Sequence, residues 1–361
     1  AMGYEVSREP FEAPGWRLTS HALTSGGGTA FPCFPCFYSC GGEVEGPLAL
    51  LNLDLHPDTP PETFAGGICL AYGDFETVLN TNALAERFDQ AGVRALIIAS
   101  PYQDTFSTKL IRTPDLRRLL VLTVSRNTAL DLARERAAGA RFRVQVEAES
   151  FRYEAVNVVA RLGSAPRAEA FGAVAAHFDT SPGIPGAADN ASGTAALLEL
   201  ARLLKPRLET AGLAVEWVAC NAEEVACIGH KEYLRRRTAA GTIPAWTMDI
   251  DAVGTYLGVM VPGVSRSRAL HQLVAETLEP HGVKPRYRAV IPHPFNLPGV
   301  PMVHFHEPKN PNGNGHYPLH SPHDDLRLVD PDALAGHTDA IAAVLERLLD
   351  WREPPPPAWT V

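Results

Sequence analysis

The sequence predicts an α/β protein of three layers, with helices on both faces of a mixed central sheet and a smaller α/β unit ahead of it. Three observations carry that prediction. From about residue 150 onward, short apolar runs of strand length alternate with longer stretches of helical period. A shorter alternation of the same kind occupies roughly residues 67–146, and the texture changes between the two. Several of the later apolar runs end on a charged or ionisable residue, where open α/β sheets place their sites.

Composition narrows the function classes. The chain has 361 residues, 45% of them apolar and 20% charged, enough for two units each with its own core. Its net charge of −9 argues against nucleic acid or an anionic membrane surface as partner, since both require a basic face. No apolar run reaches the length of a bilayer span. Ala1-Met2-Gly3 reads like a tag scar on an internal fragment, which leaves the compartment open; a secreted or periplasmic origin is one reading. Six cysteines do not decide it. Cys33, Cys36 and Cys40 cluster, but no fourth ligand lies near them for a structural zinc site, so reduced or locally paired thiols are expected.

The elements follow in order. Gly3 to Arg8 alternates as a strand, and residues 20–65 read as loops and short strands, rich in Gly, Pro, Ser and Cys. Gly67–Ala71, Ala95–Ala99 and Leu119–Val124 read as buried strands, with helices at Ala83–Ala91 and Thr128–Ala138 and a strand at Phe142–Val146. Ala155 to Gly163 alternates again. Phe171 to Ala176 is a buried strand ending on His177-Phe178-Asp179. A Pro/Gly loop leads to Asp189-Asn190-Ala191-Ser192-Gly193 and a helix expected to stop at Pro206. The strand Val215–Cys220 runs into Asn221-Ala222-Glu223-Glu224, and Gly229–Arg237 is helical. Thr247–Val253 is a strand carrying Asp249 and Asp251, Ser267–His281 a helix, and Pro301–Phe305 a short strand. A loop rich in Gly, Asn and His runs to His320, and an amphipathic helix from Asp332 to Trp351 closes the chain before a proline tail.

Candidate ligands thus stand at successive strand ends: His177, the Glu223-Glu224 pair, Asp251 and His320, with Asp189 in the loop between. Singly, each has a bland reading as a polar loop residue or a solvated face. A carboxylate within the apolar Met248–Gly254 strand is costlier to explain, because burial of a charge needs a partner or a metal. Jointly, on one edge of one sheet, they point to a metal centre.

These segments together resemble the co-catalytic di-zinc exopeptidases of metallopeptidase family 28. The motifs are His177-Phe178-Asp179, Pro185 to Gly193, Glu223 to His230, Asp251-Ala252-Val253-Gly254 and His320-Ser321-Pro322-His323-Asp324, all in family order. The resemblance covers about residues 150–350. It implies a zinc-exopeptidase fold and two zinc ions per chain. Asp189 would bridge the ions, His177 and Asp251 would complete one site, and Glu224 and His320 the other. Asp179 would orient His177, Glu223 would be the general base, and Tyr317 would add a hydroxyl to the oxyanion, a buried core Tyr being the alternative. It also implies a cis Asp189–Asn190 peptide. The unit before residue 150 resembles the protease-associated domain, on Phe64 to Ile68 and Ala83 to Ile98, against a generic α/β spacer.

The expected division is therefore an N-terminal strand at 1–19, a protease-associated-like domain at 20–148, a zinc peptidase domain at 149–353 and a tail at 354–361. The substrate would be a peptide or dipeptide, most simply cut as by an aminopeptidase. Carboxypeptidase or dipeptidase action, a non-catalytic receptor-like module and a single-zinc acyltransferase are the alternatives, and the oligomeric state is open. Departures from the pattern are Ala226 for Gly, Cys227 for Leu and His230 for Ser, with Ser321 for Thr and Asp325 where Thr is common. Extra histidines stand at 304, 306, 316 and 323.

Overall fold

A computed structural model describes residues 3–74, 78, 82–100, 102–108, 116–162, 171–211, 213–256, 258–307 and 319–352. The chain opens on β1 (Tyr4–Ser25), a strand of 22 residues where the sequence suggested six and then loops. Pro10, Pro14 and Gly15 hide its alternation. They are tolerated because β1 pairs with one long strand along its length and its other side needs no ladder donors. β2 (Phe34–Pro35), β3 (Gly42–Asn52), β4 (Ile68–Tyr72), α1 (Asn82–Gln90), β5 (Ala95–Ala99), β6 (Leu120–Val124) and α2 (Arg126–Ala137) then form the smaller unit. Strands β3 to β6 run parallel in chain order. Ile68 and Leu70 face one core with Ala129 and Leu132 of α2, while Cys69 and Ala71 face another with Leu84 and Phe88 of α1. That is the period-two alternation of a strand buried on both faces.

β7 (Arg141–Leu162) joins what the sequence suggested as two short strands. Its polar middle, Glu147 to Glu154, resembles a loop but stays extended because Ala13 to Ser20 of β1 hydrogen-bond along it. β7 pairs with β3 at one end and, through Val158–Ala160, with the larger unit at the other. The expected boundary at residue 148 therefore falls inside a continuous strand.

The larger unit continues with β8 (Phe171–His177), α3 (Gly193–Leu208), β9 (Ala214–Cys220), α4 (Ile228–Ala239), β10 (Trp246–Asp251), β11 (Gly263–Ser265), α5 (Arg268–Leu278), β12 (Arg286–Arg288), β13 (Met302–His306) and α6 (Pro331–Leu348). The strand order is β12-β11-β13-β10-β8-β9-β7. β9, β8, β10 and β13 are mutually parallel, while β7 runs against β9 and β11 against β13, so the sheet is mixed. Val174 and Ala176 face α3, α5 and α6 through Leu197, Leu200, Val274 and Ile341. Ala173 and Ala175 face α4 through Tyr233 and Leu234. The three layers are as the sequence predicts. Each fully buried Leu or Ile of these layers contributes about 1.5–3 kcal/mol. Pro206 lies inside α3 rather than ending it. It removes one backbone donor in the last turn, and the turn is kept by burial of Leu204 and Leu208. Among the described residues no helix is long and apolar enough to cross a membrane.

Candidate metal centre

Parallel β8, β9 and β10 end side by side, and each delivers polar groups past its carboxyl end. His177 closes β8 opposite Cys220 of β9, and Asp251 closes β10. The turn after β9 passes through Ala222 with φ 55°, a left-handed conformation costly for any residue with a Cβ. It is this turn that lets the adjacent Glu223 and Glu224 both face the cleft, where an extended segment would send them apart. Ala226, Cys227, Ala252 and His320 are also left-handed, so most such non-glycine residues lie around this one site. The Asp189–Asn190 peptide is cis, as the resemblance implies.

The side chains fall into two trios sharing Asp189. In one, ligand atoms of His177, Asp189 and Asp251 lie within 4.8 Å of one another; in the other, those of Asp189, Glu224 and His320 do. His177 Nε2 is 3.0 Å from Asp189 Oδ1 and 3.3 Å from Asp251 Oδ1. His320 Nε2 is 2.8 Å from Asp189 Oδ2 and 3.6 Å from Glu224 Oε2. Each oxygen of Asp189 thus serves a different trio. Glu223 Oε2 lies 3.9 Å from His177 Nε2, and its Oε1 accepts from the Cys227 thiol at 2.9 Å.

The electrostatics call for a cation. Four carboxylates, Asp189, Glu223, Glu224 and Asp251, surround two imidazoles, and Asp189, Glu224 and His177 are buried. Burial opposes charge on His177, but the carboxylates of Asp179, Asp189 and Asp251 outweigh it and hold its pKa well above the usual value. Burial likewise opposes charge on Asp189, and His177 and His320 overcome it. Asp251 is pushed up to about 6 by burial and by the Asp189 charge. Among the described residues Asp189 Oδ1 has no hydrogen-bond partner, although the His177 ring approaches it. Imidazole nitrogens and carboxylate oxygens converging this closely fit zinc, which takes a mixture of the two as ligands.

A second layer of contacts fixes these groups. Asp324 accepts from the backbone N–H of Ala188 at 2.7 Å and of Asp189 at 3.1 Å. Asn190 donates to the Ile250 carbonyl and accepts from Gly193 N and Ala252 N, tying the Asp189 loop to the end of β10. A Cβ on Gly193 would stand 2.2 Å from Asn190 Oδ1 and 2.6 Å from the Ile250 carbonyl, so only glycine fits there. Ser181 N donates to Glu224 Oε1 at 3.1 Å. The smaller unit also reaches the site: Thr108 donates its N–H to the His320 carbonyl at 2.8 Å.

The expected residues are thus brought together, with one difference and one outside the described residues. Asp179 does not hold His177 chiefly through its carboxylate, which lies 3.7 Å from Nδ1; its backbone carbonyl is 3.0 Å from that nitrogen. The carboxylate instead accepts from Glu223 N at 3.0 Å and Glu224 N at 3.1 Å, holding the strained turn. Tyr317 lies outside the described residues. Sequence reasoning gave no role to Asp249, His293 or the pairing of His230, because no motif spans them; Asp249 stood out there only as a carboxylate in a strand, and His230 only as a departure from the family pattern. Among the described residues no group of metal-ligating side chains includes Cys33, Cys36 or Cys40, and no disulfide joins any of the six cysteines.

Known proteins resemble this chain in sequence and in fold. The model of peptidase family M28 matches residues 157–345. A probable lipoprotein aminopeptidase, LpqL, of Mycobacterium tuberculosis is 27% identical over 262 residues, which are 70% of this chain and 48% of that protein. Aminopeptidase YwaD of Bacillus subtilis is 41% identical over 61 residues, 17% of this chain and 13% of that one. The chain thus spans at most about half the length of these relatives. Among solved structures, an M28 peptidase precursor from Shewanella amazonensis superposes with a TM-score of 0.81 at 17% identity, covering 99% of this chain and 87% of that one. A zinc aminopeptidase from Bacillus subtilis superposes with a TM-score of 0.73 at 20% identity, covering 96% and 86%. The fold is shared along nearly the whole chain, and the family model is matched from the end of β7 to the last turns of α6: the chain belongs to peptidase family M28.

Proposed function

We propose that this chain is a zinc-dependent exopeptidase that removes N-terminal residues from peptides, with two zinc ions in the paired trios. The observation that carries this reading is the division of Asp189, one carboxylate oxygen toward each imidazole. His177 and Asp251 would hold one ion, Glu224 and His320 the other, and Asp189 both. Zinc so held supplies Lewis acidity and a water acidified toward neutral pH. The protein's own groups do the rest. Glu223, beside both trios and ligand to neither, accepts the proton of the attacking water and returns it to the leaving amine. Asp179 keeps Glu223 and Glu224 facing the cleft through their backbone N–H groups. What supports amino- rather than carboxypeptidase action is the likeness to relatives named as aminopeptidases.

The test is hydrolysis of amino-acid anilides by the zinc-loaded protein, beside N-acetylated anilides and C-terminal substrates. Cleavage confined to free N-termini is expected; cleavage from the C-terminus, or none with zinc bound, would refute the reading. Glu223→Gln should keep its zinc and lose at least about a hundredfold in kcat, as expected for removal of a general base.

A further inference from the structure

A second group of ligating side chains lies one pleat down the same strand. Asp249 and Asp251 are two apart on β10 and therefore point to the same face. Asp249 is buried and meets three imidazoles. His230 Nε2, from the first turn of α4, is 3.0 Å from Oδ1. His304 Nε2, from the neighbouring position of β13, is 3.4 Å from Oδ2, and His293 Nε2, from the segment between β12 and β13, is 3.6 Å from Oδ2. Ligand atoms of His230, Asp249 and His293 all lie within 4.8 Å of one another, the same closeness that marks the two trios sharing Asp189.

We infer that His230, Asp249 and His293, with His304 at hand as a further ligand, form a third metal site for a divalent transition ion, zinc being the best match. Hydrogen bonding explains only part of the cluster. His230 makes a hydrogen bond to Asp249, but the buried Nε2 of His304 has no hydrogen-bond partner among the described residues while facing the carboxylate. Asp189 Oδ1 shows the same signature in the first centre. Oδ2 of Asp249 lies 3.4 and 3.6 Å from His304 and His293, close to the edge of a zinc tetrahedron, about 3.3 Å for bonds of about 2.0–2.1 Å, while His230 lies 3.0 Å from the other oxygen. His304 is further stacked on His306, with ring centroids 4.5 Å apart, which fixes its plane. A set rich in imidazole suits zinc over calcium or magnesium. A fully occupied protein ligand set would make the site structural, a clamp between β10, β13 and the start of α4, which follows the Glu223 turn.

The test counts metal in the full-length protein, loaded with zinc, freed of excess by dialysis and measured by plasma mass spectrometry. Three ions per chain are expected in the wild type. His230→Ser, the residue of the family pattern, and separately His293→Ala should each bring the count to two. Asp189→Ala should remove ions of the first centre and leave the one at Asp249. A wild-type count of two or fewer that His230→Ser and His293→Ala leave unchanged would overturn the third site while leaving the paired centre standing. A count that Asp189→Ala leaves unchanged would instead overturn the paired centre. With cobalt in place of zinc, the wild type should show a component of the visible spectrum that His293→Ala alone abolishes; its persistence in that variant would also overturn the proposal.

Discussion

Asp324 touches neither imidazole, yet it decides where Asp189 points. Its two oxygens take the N–H groups of Ala188 and Asp189, so the loop bearing the shared carboxylate hangs from one buried side chain. Asp324→Ala leaves both buried donors without their acceptor and lets the loop relax. Metal affinity should fall by about 10–100-fold, the usual cost of losing a group that orients a ligand. Competition with a chelator of known affinity measures it, and an unchanged affinity would show that the loop is held by other means. Asp324 was visible in the sequence only as the last letter of a motif. Its identity could be read there but not its target, because the partners are backbone groups more than 130 positions away. The same holds for Asp179: its short spacing from His177 suggested a partnership with the ring, while the carboxylate spans instead to the turn after β9.

At the scale of elements, the turn between β9 and α4 concentrates the strain. Asn157 of β7 accepts from Asn221 N at 3.0 Å and donates to the Gly229 carbonyl at 2.8 Å, closing the turn from behind. A Cβ on Gly229 would stand 2.1 Å from the Asn221 carbonyl, which is backbone and has nowhere to go. Gly229→Ala should therefore cost about 1–3 kcal/mol, as overpacking does, and should displace Glu223 and Glu224 together. Urea midpoints and turnover should fall in the same variant; a stable variant of normal activity would refute the turn's role. Most strands and helices were legible from apolar runs and their stops, and the site from what followed those runs. The long strands were not. Pro10 and Pro14 in β1, and the exposed middle of β7, break the pattern that sequence reading relies on, and only their mutual pairing keeps them extended. Pro206 misled in the other direction, since tertiary burial of Leu208 carries α3 past it.

On the scale of the molecule, the two units share both a strand and a site. Thr108 of the smaller unit holds the His320 carbonyl by its N–H at 2.8 Å and by its hydroxyl at 3.3 Å. Thr108→Val removes the weaker of these bonds, worth about 0.5–1.5 kcal/mol. It should leave the fold intact and weaken metal binding by up to about tenfold, again read by chelator competition. The cores themselves make the protein alkali-sensitive. Burial pushes the thiols of Cys33 and Cys69 up to about 12. The folded chain then keeps protons that the unfolded chain has lost above about pH 8.5–9. The stability these thiols contribute is present below that pH and is lost as pH rises toward 12, by about 1.4 kcal/mol per pH unit for each thiol. Urea midpoints should be flat from pH 7 to 8.5 and decline above it; Cys33→Ala should lessen the decline.

The one break of register in the β1–β7 ribbon, between Leu18 and Ser20, has a consequence for how such enzymes diversify. A bulge raises the local twist of a ribbon, and this ribbon is the axle on which the smaller unit is mounted beside the sheet that carries His177 and Asp251. A single residue gained or lost at that point would turn Thr108, which holds the His320 carbonyl, against the strands that end on His177 and Asp251 without altering any of these side chains. The spacing between the two halves of the candidate centre is thus open to adjustment by changes of strand length far from it.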